Sequence, residues 1–293
     1  MKAIMLAAGE GTRSHPFTWL YPKIIQQVSG IPLLEYMLSW FGGTTEIEKL
    51  YVVVRDDSTA ETLKEYTQKR GPYLTKVVDL FTRLGFKIDY VNRDLEIEII
   101  RANGWGTGGD LRFAIERITS VDELGEAFLV CNADYVITRK LPNGEISPQL
   151  NLSDIIEYHK KCKDALNTVM TVALVMVETE AAARFGVARL EEAGGFNIVR
   201  GFTEKPRIQD ILENPPVNAG VYVIDRDFIF SNIDELLPDK PSTNLEKTLL
   251  ERLTIEKQPR LAAYLLDLCS WFDVGTLEQL IDVNVYIASR KGV

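Results

Sequence analysis

Gly9, Gly11 and Thr12 break an apolar run of strand length, residues 2–8, and Arg13 and Lys23 stand just beyond them. Glycines at a strand end permit positive φ and close approach to the backbone, whose N–H groups can then turn toward an anion. Arginine and lysine add fixed positive charge to that anion, so residues 1–23 read first as a phosphate site. A P-loop is excluded, because Gly9-Glu-Gly-Thr-Arg-Ser is not followed by Gly-Lys-Ser/Thr. Asp134 ends a second apolar strand, 127–131, where open α/β sheets present groups to a ligand; a turn or cap aspartate fits the same position. Glu204-Lys205-Pro206 is a charge pair before a proline, which reads equally as a solvated strand end.

Gly104, Gly106 and Gly109 spell G-x-G-x-x-G ahead of a helix, with Asp122 at a tolerable distance, the outline of a dinucleotide fingerprint in an NAD-dependent oxidoreductase. Several elements precede it, whereas such a fingerprint normally opens its domain. His15 and His159 are the only histidines, and His159 is expected on a solvated helix face. No Ser/His/Asp or Cys/His nucleophile can be assembled from them. Phosphoryl transfer needs none, since positioning and charge neutralisation carry most of its catalysis.

The elements that must hold these residues alternate between strand and helix, as in an α/β fold. Strands are expected at 49–54, 86–91, 95–99, 127–131, 168–177, 185–191, 196–203, 217–225 and 261–267. Helices are expected at 32–41, 58–70, 72–84 and 153–162, with one led into by the 104–109 glycines and ending near Ile118, and another at the end of the chain. Residues 136–150, carrying Pro142-Asn-Gly and Pro148, read as a surface loop. No internal repeat is visible, and no hexapeptide period signals a β-helix.

At 293 residues, 46% hydrophobic and 26% charged, the chain has the composition of a globular protein with a sizeable core. A net charge of −9 argues against a nucleic-acid partner and leaves a mononucleotide, handled by a few local cations and a divalent metal. No run approaches the ~20 apolar residues of a membrane span, and no leader pattern opens the chain, so a cytoplasmic protein is expected. Cys131, Cys162 and Cys269 are widely spaced, which argues against a disulfide framework or a zinc site.

Leu6, Ala7, Ala8, Gly9, Gly11, Thr12, Arg13, Pro16, Thr18, Pro22 and Lys23 together resemble the N-terminal signature of the sugar-1-phosphate nucleotidyltransferases, in particular the glucose-1-phosphate thymidylyltransferase and mannose-1-phosphate guanylyltransferase types. Ala8, Ser14 and Ile24 depart from it where glycine, leucine and proline are usual. Further along, Asn132-Ala-Asp134, Gly106-Thr107, Phe185-Gly186-Val187, Glu204-Lys205-Pro206, Asn218-Ala-Gly220 and Trp271-Phe-Asp273-Val-Gly275-Thr276 resemble the family's later motifs in order. Residues 56–103 match poorly.

The resemblance implies a Rossmann-like three-layer α/β sandwich with a mixed, mostly parallel sheet, a single domain over 1–293. Its nucleotide-binding part would cover about 1–135 and its sugar-binding part about 136–293. It implies Mg2+ on Asp134 and Asp273. It also implies nucleotide contacts from Leu6, Ala8, Gly9, Gly11, Thr12, Gly106 and Thr107, and sugar contacts from Gly186, Glu204, Asn218 and Gly220. Arg13, Lys23 and Lys205 would act on the pyrophosphate, the α-phosphate and the sugar phosphate. The substrates would be a nucleoside triphosphate and a sugar 1-phosphate. A catalytically silent regulatory relative is the other reading, and relatives often form homo-oligomers.

Overall fold

The computed structural model describes residues 1–88, 94–118, 121–255 and 260–290. In chain order its elements begin with β1 (Lys2–Leu6), α1 (Phe17–Leu20), β2 (Gln27–Val28), β3 (Ile31–Pro32), α2 (Leu33–Trp40), β4 (Lys49–Val54), α3 (Asp57–Arg70), α4 (Leu74–Arg83) and β5 (Glu96–Arg101). They continue with α5 (Thr107–Arg117), β6 (Ala127–Asn132), β7 (Tyr135–Lys140), β8 (Ile146–Ser147), α6 (Leu152–Leu166), β9 (Met170–Met176), α7 (Thr179–Ala182), β10 (Gly186–Ala193) and β11 (Phe196–Glu204). The last are β12 (Pro216–Asp225), α8 (Arg226–Ser231), α9 (Ile233–Leu236), α10 (Glu251–Leu253), β13 (Leu261–Leu265), β14 (Cys269–Asp273) and α11 (Leu277–Ser289). The chain forms two compact units, each threaded from several segments.

The first unit holds Met1–Ile4, Ala102–Cys131 and Asp154–Asp267. Its strands run in the order β10-β11-β13-β9-β12-β6. The sheet is mixed: β13 is parallel to β9, while β12 is antiparallel to both β9 and β6. The burial pattern of β12, buried at every position after Pro216, is that of a central strand covered on both faces. β10 and β11 close as a hairpin on Gly194-Gly195, both at positive φ. α6 buries Ile155, Ile156, His159 and Cys162, a stripe at helical spacing. His159 therefore lies on the packed face, 1% exposed, and not on the solvated face expected from its lysine-rich neighbours.

The second unit holds Met5–Arg101, Asn132–Ser153 and Leu268–Val293. β4 and β5 are parallel in it, Lys49 opposite Glu96 through Val54 opposite Arg101. A separate sheet, β14-β7-β8, is antiparallel throughout. Here the expected surface loop at 136–150 is overturned, since Val136, Ile137 and Thr138 are buried and pair with β14. The turn residues Pro142-Asn-Gly only reverse the chain, with the Gly144 amide donating to the Leu141 carbonyl; the β-branched run before them is sheet. A core of Val28, Ile31, Tyr36, Phe81, Val274 and Val283, among others, lies beneath α2, α4 and α11. Glu35 on α2, 1% exposed, accepts from the Arg70 guanidinium and the Tyr66 hydroxyl and so ties the inserted α3 to this core. The strand expected at 86–91 falls partly outside the described residues; Phe86 makes a single bridge to Ile146.

Candidate active site

The second unit gathers nine of the sequence-predicted residues: Leu6, Ala8, Gly9, Gly11, Thr12, Arg13, Lys23, Asp134 and Asp273. Asp134 immediately precedes β7 and Asp273 ends β14, where it sits opposite Tyr135. The Val274 amide donates to the Asp134 carbonyl at 2.9 Å, so the ladder itself brings the two carboxylates side by side. Lys23 Nζ lies 2.9 Å from Asp134 Oδ2. Asp273 Oδ1 accepts from the Gly275 amide at 2.7 Å, and Oδ2 from Gln279 Nε2 at 3.3 Å.

Burial raises the Asp273 pKa, and the neighbouring Asp134 charge raises it further, while Lys23, Arg13 and the Gly275 amide oppose that. A Cβ at Gly275 would lie 2.6 Å from Asp273 Oδ1 and 2.8 Å from an Arg13 guanidinium nitrogen, so the glycine leaves room for that guanidinium beside the carboxylate. Two adjacent acidic oxygen donors that repel one another fit a hard divalent cation such as Mg2+, which needs only one or two protein carboxylates and keeps water and phosphate oxygens for its other positions. Among the described residues no larger cluster of His, Cys, Asp or Glu forms an all-protein cage.

The glycine loop is built to stay open. Gly11 has φ +64°, and its carbonyl accepts from the Thr18 hydroxyl at 2.9 Å. A side chain at Gly9 would meet nothing within 4 Å, so its backbone faces free space. Ser14, unexplained by the motif, donates to the Gly275 carbonyl at 2.9 Å and joins the loop to the turn carrying Asp273.

The first unit gathers the remaining seven: Gly106, Thr107, Gly186, Glu204, Lys205, Asn218 and Gly220. Gly108 and Gly109 donate their amides to the Thr243 carbonyl at 3.0 and 3.2 Å, so these are not free for a dinucleotide pyrophosphate. The side chain of Asp122, the ribose partner in that reading, lies outside the described residues. Thr107 Oγ1 accepts from the Leu245 amide and donates to Glu246 Oε2 at 3.1 Å. Tyr222 donates to Glu246 Oε1 at 3.3 Å and accepts from Asn218 Nδ2 at 2.7 Å. Gly220, at φ +74°, forms the bulge that aims its own amide at Asn218 Oδ1, 2.9 Å away.

Glu204 is raised in pKa by burial first and by the Glu246 charge next, and Lys205 lies 3.4 Å from it. A Cβ at Gly186 would lie 2.2 Å from the Phe202 ring and 2.9 Å from Glu204 Oε2, so Gly186 must be bare. Glu246 and Gln279 escaped the sequence reading. Glu246 belongs to no motif, and the signal for Gln279 was its place as the fourth residue of a Thr-x-x-Gln capping box at the start of α11.

A family model described as nucleotidyl transferase matches residues 2–290. The probable mannose-1-phosphate guanylyltransferase 3 of Oryza sativa subsp. japonica is 26% identical over 99% of this chain and 66% of its own length. The bifunctional protein GlmU of Methanococcus vannielii is 27% identical over 98% of this chain and 55% of its own. The chain thus spans between about half and two thirds of these relatives. Among solved structures, a UDP-glucose pyrophosphorylase complexed with UDP-glucose shares the fold, with a TM-score of 0.70 at 20% identity, over 99% of this chain and 98% of that one.

Proposed function

Because this chain belongs to the nucleotidyl transferase family, we propose that it joins a nucleoside triphosphate to a sugar 1-phosphate, giving a nucleotide-sugar and pyrophosphate. The observation that carries this reading is the pairing of Asp134 and Asp273 on adjacent strands with Lys23 and Arg13 beside them. The names of similar proteins, a mannose-1-phosphate guanylyltransferase and a UDP-glucose pyrophosphorylase, support the substrate classes. Residues 1–293 are read as one catalytic domain.

In this mechanism a sugar-phosphate oxygen forms a bond to the α-phosphorus. The α–β phosphoanhydride bond breaks, and its electron pair departs on pyrophosphate. Lys23 neutralises the α-phosphate and Arg13 the departing pyrophosphate, as charge develops where both are already fixed. Lys205 holds the sugar phosphate, and Glu204 accepts from sugar hydroxyls. Gly9, Gly11 and Thr12 give the triphosphate an open backbone to lie against. Magnesium held by Asp134 and Asp273 would supply neutralisation of the triphosphate charge.

The test is magnesium-dependent pyrophosphate release over a panel of nucleoside triphosphates and sugar 1-phosphates. Release with one pair supports transfer and names the substrates. Nucleotide-sugar binding without release under any pair would instead identify a silent regulatory relative.

A further inference from the structure

Within the second unit a cavity of about 540 Å³ opens on Gly9, Thr12, His15, Trp19, Lys23 and Arg55, among others. The known motif accounts for the glycine loop and the lysine but assigns nothing to His15. The Thr18 hydroxyl has one proton, and it goes to the Gly11 carbonyl at 2.9 Å. The contact of 2.9 Å between Thr18 Oγ1 and His15 Nδ1 must then be donated by the ring. This chain fixes the proton on Nδ1 and leaves Nε2 as the nitrogen available to a ligand. The Trp19 indole, 74% exposed, packs on the imidazole at 5.0 Å between ring centres and holds its orientation.

The other charged or titratable groups lining the cavity already have a partner or an assigned phosphate, or are not cations. Arg55 is paired with Glu10, and Lys23 with Asp134. Asp56 caps α3 by accepting from the Thr59 amide and hydroxyl, each at 2.8 Å, and Tyr21 adds a phenol. Arg13, on the same loop, lies against Gly275 beside Asp273. An imidazole is the side chain that ordinarily gains charge between pH 8 and 5, and one in this cavity would add an uncommitted cation beside the open glycine loop.

We propose that His15 is a further phosphate-binding residue of this cavity, its protonated Nε2 donating to a polyphosphate oxygen, so that polyphosphate binds more tightly as pH falls. The inference rests on the nucleotidyl-transfer reading, which makes the triphosphate and its pyrophosphate product ligands of this loop.

Inorganic pyrophosphate, with magnesium held constant, is titrated calorimetrically into the wild-type chain and two variants between pH 8 and 6. His15→Asn keeps a donor to Thr18 and lacks a group at Nε2; His15→Gln offers a neutral donor near Nε2. Pyrophosphate itself titrates identically in all three experiments, so the difference between proteins is the readout. The wild type should gain about tenfold in affinity over the variants on going from pH 8 to pH 6, the effect of one hydrogen bond to a charged group. Both variants should lose that excess slope, with His15→Gln the tighter binder of the two at pH 8. Parallel slopes for wild type and His15→Asn, or a full slope retained by His15→Gln, would overturn the inference alone. Absence of pyrophosphate binding to wild type at every pH would remove the nucleotidyl-transfer reading and this inference with it. His15 is exposed, so all three proteins should melt alike.

Discussion

Lys23 and Asp134 meet at 2.9 Å with side chains 15% and 29% exposed, which leaves the lysine open enough to meet a bound phosphate as well. Lys23→Ala should therefore lower turnover roughly 10²–10³-fold, the cost of removing one group aimed at developing charge, with little change in melting temperature. A rate within a factor of about three of wild type would remove Lys23 from the mechanism. Gly275→Ala places a methyl against both Asp273 and Arg13 and should depress turnover while leaving circular dichroism unchanged. At this scale the sequence was most legible where a glycine, a charge and a fixed spacing coincide, as in residues 9–23 and 271–276. It was least legible where a side chain acts through burial. Ser14 looked like a departure from the pattern, yet its hydroxyl bridges the loop to the Gly275 turn.

Strand and helix partners decide which of these residues meet. β7 was hidden because turn signals at 142–144 and 148 dominate its neighbourhood, and pairing with β14 across more than a hundred residues leaves no local trace. The same non-local logic puts Glu246, on a π-helical turn, between Thr107 and Tyr222. Glu246→Gln keeps the shape but has only one acceptor for two donors, so it should raise the KM for both substrates while the chain still folds. An unchanged KM for both would show the network to be structural only.

α6 carries a different prediction. Burial depresses the His159 pKa from 6.5 to about 4, with Lys163 and Lys160 adding to the effect and Asp225 opposing it. The unfolded chain therefore binds the extra proton first. Stability is full above pH 6.5 and is lost as pH falls from there toward 4, by up to ~3 kcal/mol at 1.36 kcal/mol per unit. Urea midpoints should fall over that window, and His159→Asn should flatten the part of the fall due to the imidazole. Coincident pH profiles for the two proteins would contradict the burial argument.

At the scale of the molecule, a chain with a net charge of −9 handles anionic substrates through local cations, set in two units that each bring together residues far apart in sequence. The alternation of strand and helix, with the runs of β1, β4, β5, β6 and β9 to β13, was readable because burial imposes those patterns locally, whereas β2, β3, β7, β8 and β14 were not anticipated. Strand directions were not readable, since nothing within β12 says that both its neighbours run against it. Ligand binding should stabilise the whole: a product nucleotide-sugar at a hundred times its Kd should raise unfolding free energy by about 2.7 kcal/mol, and no shift with any candidate would count against the proposed product class.

The most direct test is a double-mutant cycle on Asp134→Asn and Asp273→Asn, read as magnesium-dependent pyrophosphate release. Carboxylates that share one cation act as a unit, so each single variant should lose nearly all the activity and the double variant should lose little more. Additive losses, or near-normal release from either single variant, would contradict the account.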